Sequence, residues 1–384
     1  MSNRIAGNRV LIAGSVDDCI DVLILQEIHD VLRLLTTKIL QNGGGLILSA
    51  GNNPVHKKDS TLAIIFDWTI INAIVHYCTA FKIEWPIDKG KPIILIVYPN
   101  WEEKIPEDKK EICKRLLETG YIELKTAPIG VGGELRELQC LVSDILISVG
   151  GEKGVSHLAR LFMSNAKPII PLNFPTKSSI RNTSEHLYKE ALVDTKKFLR
   201  TDPLEQATVQ LKSISLYNDF STNFNSGDYV EKIFALLSII SRPVAFYVRL
   251  MDDKNPTLPE VEWFFRKVID PIIERFGFQK HEVSTDPSTS PLLNMEIYNE
   301  IKFASLVIAD LTELRPNCFW ELGFALGLGK RCILTAKKGT PQQFDVQALP
   351  CFSWYVEKKP QNYRKKFEEF FKKSMKRKSL VEIL

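Results

Sequence analysis

The chain has 384 residues, of which 45% are hydrophobic and 25% are charged, and its formal net charge is +4. This length allows two or three domains. The small net charge excludes the overall basic field that is typical of nucleic-acid-binding proteins. The seven cysteines are scattered and form no CxxC pair, so we expect reduced thiols in a cytoplasmic protein and no metal site.

The chain starts with a strand-like run, so we expect no signal peptide. Its longest apolar run, residues 62–78, contains Asp67 and is shorter than the roughly 20 residues that a membrane span needs. We therefore expect no contact with a membrane. The run predicts either a helix in a domain core or a helix buried between subunits, because apolar residues surround most of its circumference.

Short β-branched runs alternate with longer helical patterns, which is typical of parallel sheets with crossover helices. In the first half several runs are continuously apolar, as expected for strands covered on both faces. These runs are residues 10–13, 46–49, 93–98, 144–149 and 168–172. The sequence predicts a first domain over residues 1–175, and a helical connector or closing segment without strands over 176–240.

A second alternating set occupies residues 241–384 and predicts a second domain. Its pattern includes a strand at 242–250, a helix over 257–276, another helix near 291–303 and a strand ending at Asp310. A final amphipathic helix carries phenylalanines at a spacing that predicts packing onto a sheet. The predicted fold class is α/β, with two Rossmann-like or flavodoxin-like domains whose sheets are mainly parallel.

Two strand-to-helix turns in the first half carry small residues where a ligand of an open α/β sheet binds. Glycine there lets the backbone approach a phosphate, and helix N-termini and lysine supply positive charge. The turns therefore predict a nucleotide site. The candidate residues are Gly14, Ser15, Gly150, Gly151, Lys153 and Gly154.

These residues resemble the SLOG superfamily over roughly residues 8–175, on "GS" after the first strand, "GGGLILSAG" at 43–51 and "GG..G" at 150–154. The phosphoribohydrolases of that superfamily carry a Pro-Gly-Gly-x-Gly-Thr-x-x-Glu pattern with a catalytic glutamate. This chain reads "VGGEKGVSH" at 149–157 and lacks that glutamate. The resemblance implies a binding domain, with Glu152 the only local acid and His157 a ligand contact or structural residue.

The stretch "ADLTELRPNCFWELGFALGLGK" at 309–330 carries two acids in an apolar setting. Asp310 ends a buried strand, Asn317 is predicted to cap a helix, and Glu321 lies in the first or second turn of that helix. Both acids are interpreted in two ways. They are either caps that stabilise the helix by ~0.5–1 kcal/mol each, or catalytic carboxylates exposed to desolvation and to the helix field.

The same stretch resembles the TIR-like and nucleoside 2-deoxyribosyltransferase-like group over about residues 242–357. Members of this group break N-glycosidic bonds, and TIR members act mainly on NAD. The resemblance implies that Glu321 is the catalytic carboxylate and that NAD is a substrate, with no cofactor. Further predicted substrate contacts are Asp310 and Asn317 for ribose hydroxyls, Tyr247 for a base, Arg249 for a phosphate and Trp320 for the pocket wall, although Trp320 equally suits the core.

Two departures favour the deoxyribosyltransferase-like branch. Trp320 directly precedes Glu321, whereas many TIR domains separate a Trp-Cys pair from the glutamate by two residues. The first strand reads "FYVRLMDD" and lacks the Ser-Tyr pair of receptor TIR domains. The reaction type is therefore better supported than the substrate.

A nucleotide-binding module joined to a glycosidic-bond-cleaving module resembles bacterial antiphage effectors of the Thoeris or CBASS kind. We expect a nucleotide second messenger, such as a cyclic oligonucleotide or a cyclic ADP-ribose derivative, to activate NAD cleavage in a homo-oligomer or filament. One alternative is an N-glycosidase or deoxyribosyltransferase that acts on (deoxy)nucleotides. Another is a non-enzymatic sensor-adaptor.

Overall fold

The structure is a computed structural model that divides into two compact units, Met1–Ser241 and Arg242–Leu384. The residues that it describes are 5–49, 54–86, 89–127, 132–165, 167–175, 182–201, 204–215, 224–241, 243–282, 297–298, 300–302, 304–341, 349–357 and 359–375. Most of the helix predicted near 291–303, and the end of the motif at 43–51, lie outside the described residues.

The first unit contains a six-stranded sheet with the order β4-β3-β2-β1-β5-β6, and every neighbouring pair is parallel. Its strands are β1 (Arg9–Ser15), β2 (Gly45–Ser49), β3 (Ile93–Val97), β4 (Ile122–Thr126), β5 (Ile145–Gly150) and β6 (Ile169–Leu172). β3 and β5 are buried along their whole length. Central strands of a parallel sheet are covered by helices on both faces, which explains their unbroken apolar runs.

The five strands predicted for this unit are all present, and β4 is an additional one. Its sequence, "IELKT", is half exposed because β4 lies at the edge of the sheet. Edge strands carry charged side chains that discourage pairing with other chains. The polar composition that protects this edge also removed the apolar signal by which the other strands were predicted.

Helices cover both faces of this sheet. The described helices of the first unit are α1 (Val22–Gln41), α2 (Asp67–Ala80), α3 (Trp101–Lys104), α4 (Glu107–Glu118), α5 (Gly132–Val142), α6 (Lys153–Ser164), α7 (Thr183–Val193), α8 (Thr195–Leu199), α9 (Leu204–Ser213) and α10 (Ser226–Ile240). The apolar run at 62–78 corresponds to α2, which packs against α1 and α4 and is a core helix. No described helix is long and apolar enough to cross a membrane.

Helices α7 to α10 build on the same core. The Ser184 hydroxyl, at the start of α7, bonds to the carbonyl oxygens of Ser148 and Leu172, each at 2.8 Å. α10 packs along α1 and buries Ile233 and Leu236. The described parts of the segment after residue 175 are thus mainly helical, and their helices close one side of the first unit.

The second unit contains a five-stranded sheet with the order β11-β10-β9-β7-β8, again with parallel pairs throughout. Its strands are β7 (Val244–Val248), β8 (Gln279–His281), β9 (Leu306–Asp310), β10 (Cys332–Lys337) and β11 (Cys351–Trp354). Its described helices include α11 (Leu258–Phe264), α12 (Asp270–Arg275), α13 (Pro316–Gly327) and α14 (Pro360–Met375). The predicted α/β class with two mainly parallel sheets is confirmed.

The two faces of the second sheet pack against different helices. Tyr247 and Ile308 belong to a cluster that also contains residues of α11, α12 and α14. Phe246 and Val307 belong to a separate cluster with residues of α13. Since neighbouring side chains of a strand point to opposite faces, this alternation decides which side chains can share a site with α13.

Helix α14 docks on the sheet as its phenylalanine spacing predicts. Phe367 and Phe371 are fully buried, and Phe370 is partly buried against the same cluster. The basic side chains occupy the remaining faces of the helix, as expected for an amphipathic helix with one solvated side.

We expect Gly14→Ala to destabilise the first unit by at least about 2 kcal/mol, because overpacking a core forces backbone shifts. A Cβ at this position would lie 1.8 Å from the Val149 carbonyl oxygen, a backbone atom. Gly323→Ala is the matched control, since nothing lies within 4 Å of its new Cβ and alanine favours a helix by ~0.5–1 kcal/mol. Calorimetric unfolding measures both variants, and wild-type stability of Gly14→Ala would contradict the close approach.

Candidate functional site

The carboxyl ends of β1 and β5 bring four of the predicted nucleotide-binding residues together. Gly14 lies opposite Val149, and Ser15 lies opposite Gly150. The Gly151 N–H donates a hydrogen bond of 2.8 Å to the Ser15 carbonyl oxygen. Gly150 and Gly151 have φ angles of 57° and 85°, which residues with a Cβ rarely adopt. The sharp turn between β5 and α6 therefore depends on these two glycines.

Helix α6 begins directly after this turn and contains the two remaining predicted residues, Lys153 and Gly154. Its N-cap residue, Glu152, makes no side-chain hydrogen bond to the first turn, so Glu152 does not cap the positive end of the helix, which lies beside the glycines. The Lys153 side chain is exposed. Glycine backbone, helix end and lysine together form an arrangement that suits an anion such as a phosphate.

The start of α5 lies against the same turn, which the sequence pattern did not indicate. The Nη2 atom of Arg136 lies 3.2 Å from the position of a Cβ added to Gly154. Cε1 of His157 lies 3.9 Å from the position of a Cβ added to Gly133. The available signal was the charged pair Glu134 and Arg136 directly behind two glycines, but charged pairs are common on solvated helices.

A further acid at this edge of the sheet is Asp67, the first residue of α2. Ile65, two residues earlier, forms a β-bridge with Ser15, so α2 starts near the end of β1. Asp67 keeps some solvent contact, yet burial raises its pKa to about 6. Protein atoms displace water around this partly exposed carboxyl group, and the loss of solvation disfavours its charged form.

In the second unit, Asp310 ends β9 and is 0% exposed. Its carboxylate accepts hydrogen bonds from the Thr312 N–H at 3.1 Å, Thr335 Oγ1 at 2.6 Å and Trp354 Nε1 at 2.8 Å. Burial raises the pKa of Asp310, and these hydrogen bonds oppose the rise. These hydrogen bonds link the end of β9 to β10 and β11 inside the core. The geometry of Asp310 does not support the predicted contact with a ribose hydroxyl.

Tyr247 and Arg249 also make internal contacts. The Tyr247 hydroxyl donates to Asp270 Oδ1 at 3.0 Å, and burial together with that carboxylate raises the pKa of Tyr247. Arg249 forms an ion pair of 2.7 Å with Glu282. Tyr247 packs on the sheet face opposite α13, so the structure does not bring it together with Glu321. The predicted base and phosphate contacts therefore lack support from this geometry.

The predictions for Asn317 and Trp320 need correction. Helix α13 begins at Pro316, and Arg315 occupies the N-cap position, because proline suits the first turn of a helix. Asn317 is thus an exposed residue inside the first turn rather than the cap. Trp320 is 72% exposed because it lies on the outer side of α13, so it is not a core residue.

Glu321 remains as the reactive candidate of the second unit. It follows the buried Cys318 by one helical turn and is itself half-buried. Burial raises the pKa of Glu321 to about 7, and no hydrogen bond or ion pair joins its carboxylate to another described residue. Burial, and then the Glu321 and Asp310 carboxylates, raise the pKa of the Cys318 thiol to about 12. A carboxyl group near neutrality without a partner is chemically available.

The loop between β9 and α13 is held under strain. Glu313 and Leu314 have φ angles of 65° and 48°, at a cost of roughly 1–2 kcal/mol each. Glu313 accepts a hydrogen bond of 2.7 Å from the Thr257 hydroxyl, and Arg315 donates one of 3.2 Å to Asp252. Both contacts tie this loop to the segment after β7. Strain held in place by such contacts is typical of functional sites.

Comparison with known proteins identifies the first unit. A family model described as "ATP nucleosidase Cap17-like, N-terminal" matches residues 5–228, more than half of the chain. The chain belongs to this family. The Cap17-like region includes the glycines at residues 150–154 (the glycine turn), α5 and α6, and it ends before the second unit.

Individual relatives cover less of the chain. ATP nucleosidase Cap17 of Escherichia coli (strain KTE188) is 27% identical over 166 residues, which is 43% of this chain and 32% of that protein. The match thus spans about a third of the relative's length. DNA processing protein A from Helicobacter pylori has a TM-score of 0.33, with 14% identity over 60% of this chain and 82% of its own. This structural likeness is too low to bear on the function of the Cap17-like chain.

We expect Glu321→Gln to stabilise the second unit at pH 8 by about 2 kcal/mol, allowing for the solvent contact that the glutamate keeps. The pKa of Glu321 is raised in the folded state from 4.5 to about 7, so the folded chain binds more protons than the unfolded chain between these values. Wild-type stability therefore falls as the pH rises through this window, whereas glutamine does not titrate. The advantage should disappear near pH 4.

Urea unfolding at several pH values measures this difference. Asp253→Asn, at an exposed carboxylate of the same unit, is the matched control for loss of one acid. A constant difference between Glu321→Gln and wild type from pH 4 to pH 8 would contradict the raised pKa.

Proposed function

We propose that this Cap17-like chain is an N-glycosidase that a nucleotide activates, with nucleotide binding in the first unit and bond cleavage in the second. The observation that carries the proposal is Glu321, a half-buried carboxylate with a pKa of about 7 and no partner among the described residues. The name of the Escherichia coli relatives, ATP nucleosidase, supports N-glycosidic cleavage as the reaction class.

The sequence of the glycine turn supports cleavage in the second unit. The glycine turn lacks the glutamate that follows this motif in the phosphoribohydrolases it resembles, and its backbone and cations suit binding. The family model ends at residue 228, and the relatives align over 32% of their length, so the shared region is a part of those proteins. We therefore assign the shared unit to binding, and the chemistry to the unit that holds Glu321.

The first proposed substrate is NAD. Breaking its nicotinamide–ribose bond builds positive charge on C1′ and the ring oxygen, and an ionised Glu321 stabilises that charge or captures C1′ covalently. Nicotinamide leaves as a neutral base from a cationic substrate, so the reaction needs no acid. Because the ionised form is required, the rate should rise with pH through about 7.

ATP is the second candidate, favoured by the name of the relatives. Adenine is a poor leaving group unless a proton is added, so here the protonated form of Glu321 would act as a general acid. The rate should then fall as the pH rises through about 7. The direction of the pH profile therefore separates the two chemistries, although the same residue acts in both.

We propose that the activating ligand is a nucleotide second messenger bound at the glycine turn, as in an antiphage effector. The N-terminal end of α6 and the cations Lys153 and Arg136 suit its phosphates. Helix α13 presents Trp320, 72% exposed, on its outer side, which is compatible with assembly into a homo-oligomer or filament. The sensor-adaptor alternative remains in place if no cleavage is observed.

We expect Glu321→Gln to reduce base release by at least about 100-fold, the usual contribution of a positioned acid or nucleophile. Purified protein is incubated with NAD or with ATP, alone and with cyclic diadenylate, cyclic triadenylate or cyclic ADP-ribose, and the products are identified by mass spectrometry. Asp253→Asn is the control and should retain wild-type rates.

Two results would count against the proposal. Equal base release by wild type and Glu321→Gln would remove Glu321 from the reaction. No base release by wild type from either substrate, under any of the three ligands, would remove the enzyme assignment and favour the sensor-adaptor.

Charge reversal at the glycine turn tests whether the first unit binds the activating ligand. We expect Lys153→Glu to lower the ligand-stimulated rate about tenfold or more, because the variant replaces a charged contact to phosphate by repulsion. Lys114→Glu makes the same change at an exposed position of α4 and should respond normally. Equal responses of both variants would place the activating ligand elsewhere.

A further inference from the structure

Helix α5 carries two charged side chains that have no partner in the described part of the chain. The Oε2 atom of Glu134 is shielded from solvent and accepts no hydrogen bond. The Arg136 guanidinium lies against Gly154 and forms no ion pair with a described acid. A buried carboxylate oxygen without a donor is unfavourable, so a ligand that donates a hydrogen bond to this oxygen would remove the cost.

The two side chains cannot neutralise each other, because residues two apart on a helix point about 200° away from one another. Arg136 lies on the flank of α5 that faces α6 and the glycine turn. Glu134 lies on the other flank, one turn before Leu138, which packs against the core. The start of α5 therefore carries a cation on the flank that faces the glycine turn and a hydrogen-bond acceptor on its other flank.

This separation matches the layout of a nucleotide. Phosphate at the glycine turn would meet the N-terminal end of α6, Lys153 and Arg136. The sugar attached to that phosphate offers hydroxyl groups, which can donate, and a carboxylate can only accept. Hydrogen bonds from a hydroxyl to an ionised carboxylate are short and strong. The shielded Oε2 of Glu134 is thus the acceptor that a ribose needs.

We propose that Glu134 accepts a hydrogen bond from the 2′-hydroxyl of the nucleotide bound at the glycine turn, so that the first unit selects ribonucleotides over 2′-deoxyribonucleotides. The proposal rests on nucleotide binding by this unit, as proposed above, and adds the residue that recognises the ribose. Carboxylates elsewhere on α5 do not serve this purpose, since Glu137 points to solvent.

The test is a thermodynamic cycle between the residue and the hydroxyl. Calorimetric titration measures the affinities of wild type, Glu134→Gln and Glu137→Gln for ATP, ADP-ribose and 3′,5′-cyclic diadenylate, each paired with its 2′-deoxy analogue. Melting temperatures confirm that the variants are folded. Glutamine has nearly the shape of glutamate, and Glu137→Gln removes an exposed acid one turn of the same helix away.

Wild type should prefer the ribose form of at least one probe by about 10- to 100-fold, the usual effect of a hydrogen bond to a charged group. Glu134→Gln should weaken binding of that ribose form by a similar factor and leave the 2′-deoxy form almost unchanged. Glu137→Gln should behave as wild type. An acid with a merely structural role would change both forms equally.

The outcomes separate this proposal from the one on which it rests. Equal binding of ribose and deoxyribose forms by wild type, or a preference that survives in Glu134→Gln, overturns the role of Glu134 and leaves nucleotide binding intact. Failure of wild type to bind any of the six probes overturns both nucleotide binding by the first unit and sugar recognition.

Discussion

The architecture of the first unit depends on the close approach of β1 and β5 at Gly14. The position of a Cβ there is 1.8 Å from the Val149 carbonyl oxygen, so only glycine allows the two strands to end side by side. Their pairing places Ser15 opposite Gly150, and the Gly151 N–H then closes the turn on the Ser15 carbonyl. The position of α6, and with it the anion-binding end of that helix, follows from this contact.

In the second unit, the two faces of the sheet decide which acid is chemically available. Asp310 is enclosed by donors from Thr312, Thr335 and Trp354, so its charge is used to hold strand ends together. Glu321 lies on α13, which covers the other face, and finds no such donors in the described residues. Burial without hydrogen bonds raises a carboxyl pKa, whereas hydrogen bonds counteract burial, and this difference gives the two acids their different roles.

The two units thus display complementary chemistry. The first gathers backbone N–H groups around a turn together with Arg136, which forms no ion pair with a described acid, and this suits recognition of a charged ligand. The second carries a carboxylate without a hydrogen-bond partner among the described residues, on an apolar helix behind a strained loop, which suits a reaction that develops positive charge. Family membership extends over the first of these units, and the functional assignment of the second depends on Glu321.

The sequence by itself determined the α/β class, most of the strands and the grouping of Gly14, Ser15, Gly150 and Lys153. The spacing of apolar residues and the glycines at strand ends can be recognised within short stretches of chain. The sequence also singled out Asp310 and Glu321, and the resemblance to the deoxyribosyltransferase-like group put Glu321 first. β4 was hidden by the polar composition of an edge strand. Tertiary structure alone decided that Tyr247 faces away from α13, that Trp320 is exposed, and that Arg136 borders the glycine turn. These facts depend on which face a side chain takes and on which helices meet in space, and neither is encoded within a short stretch of chain.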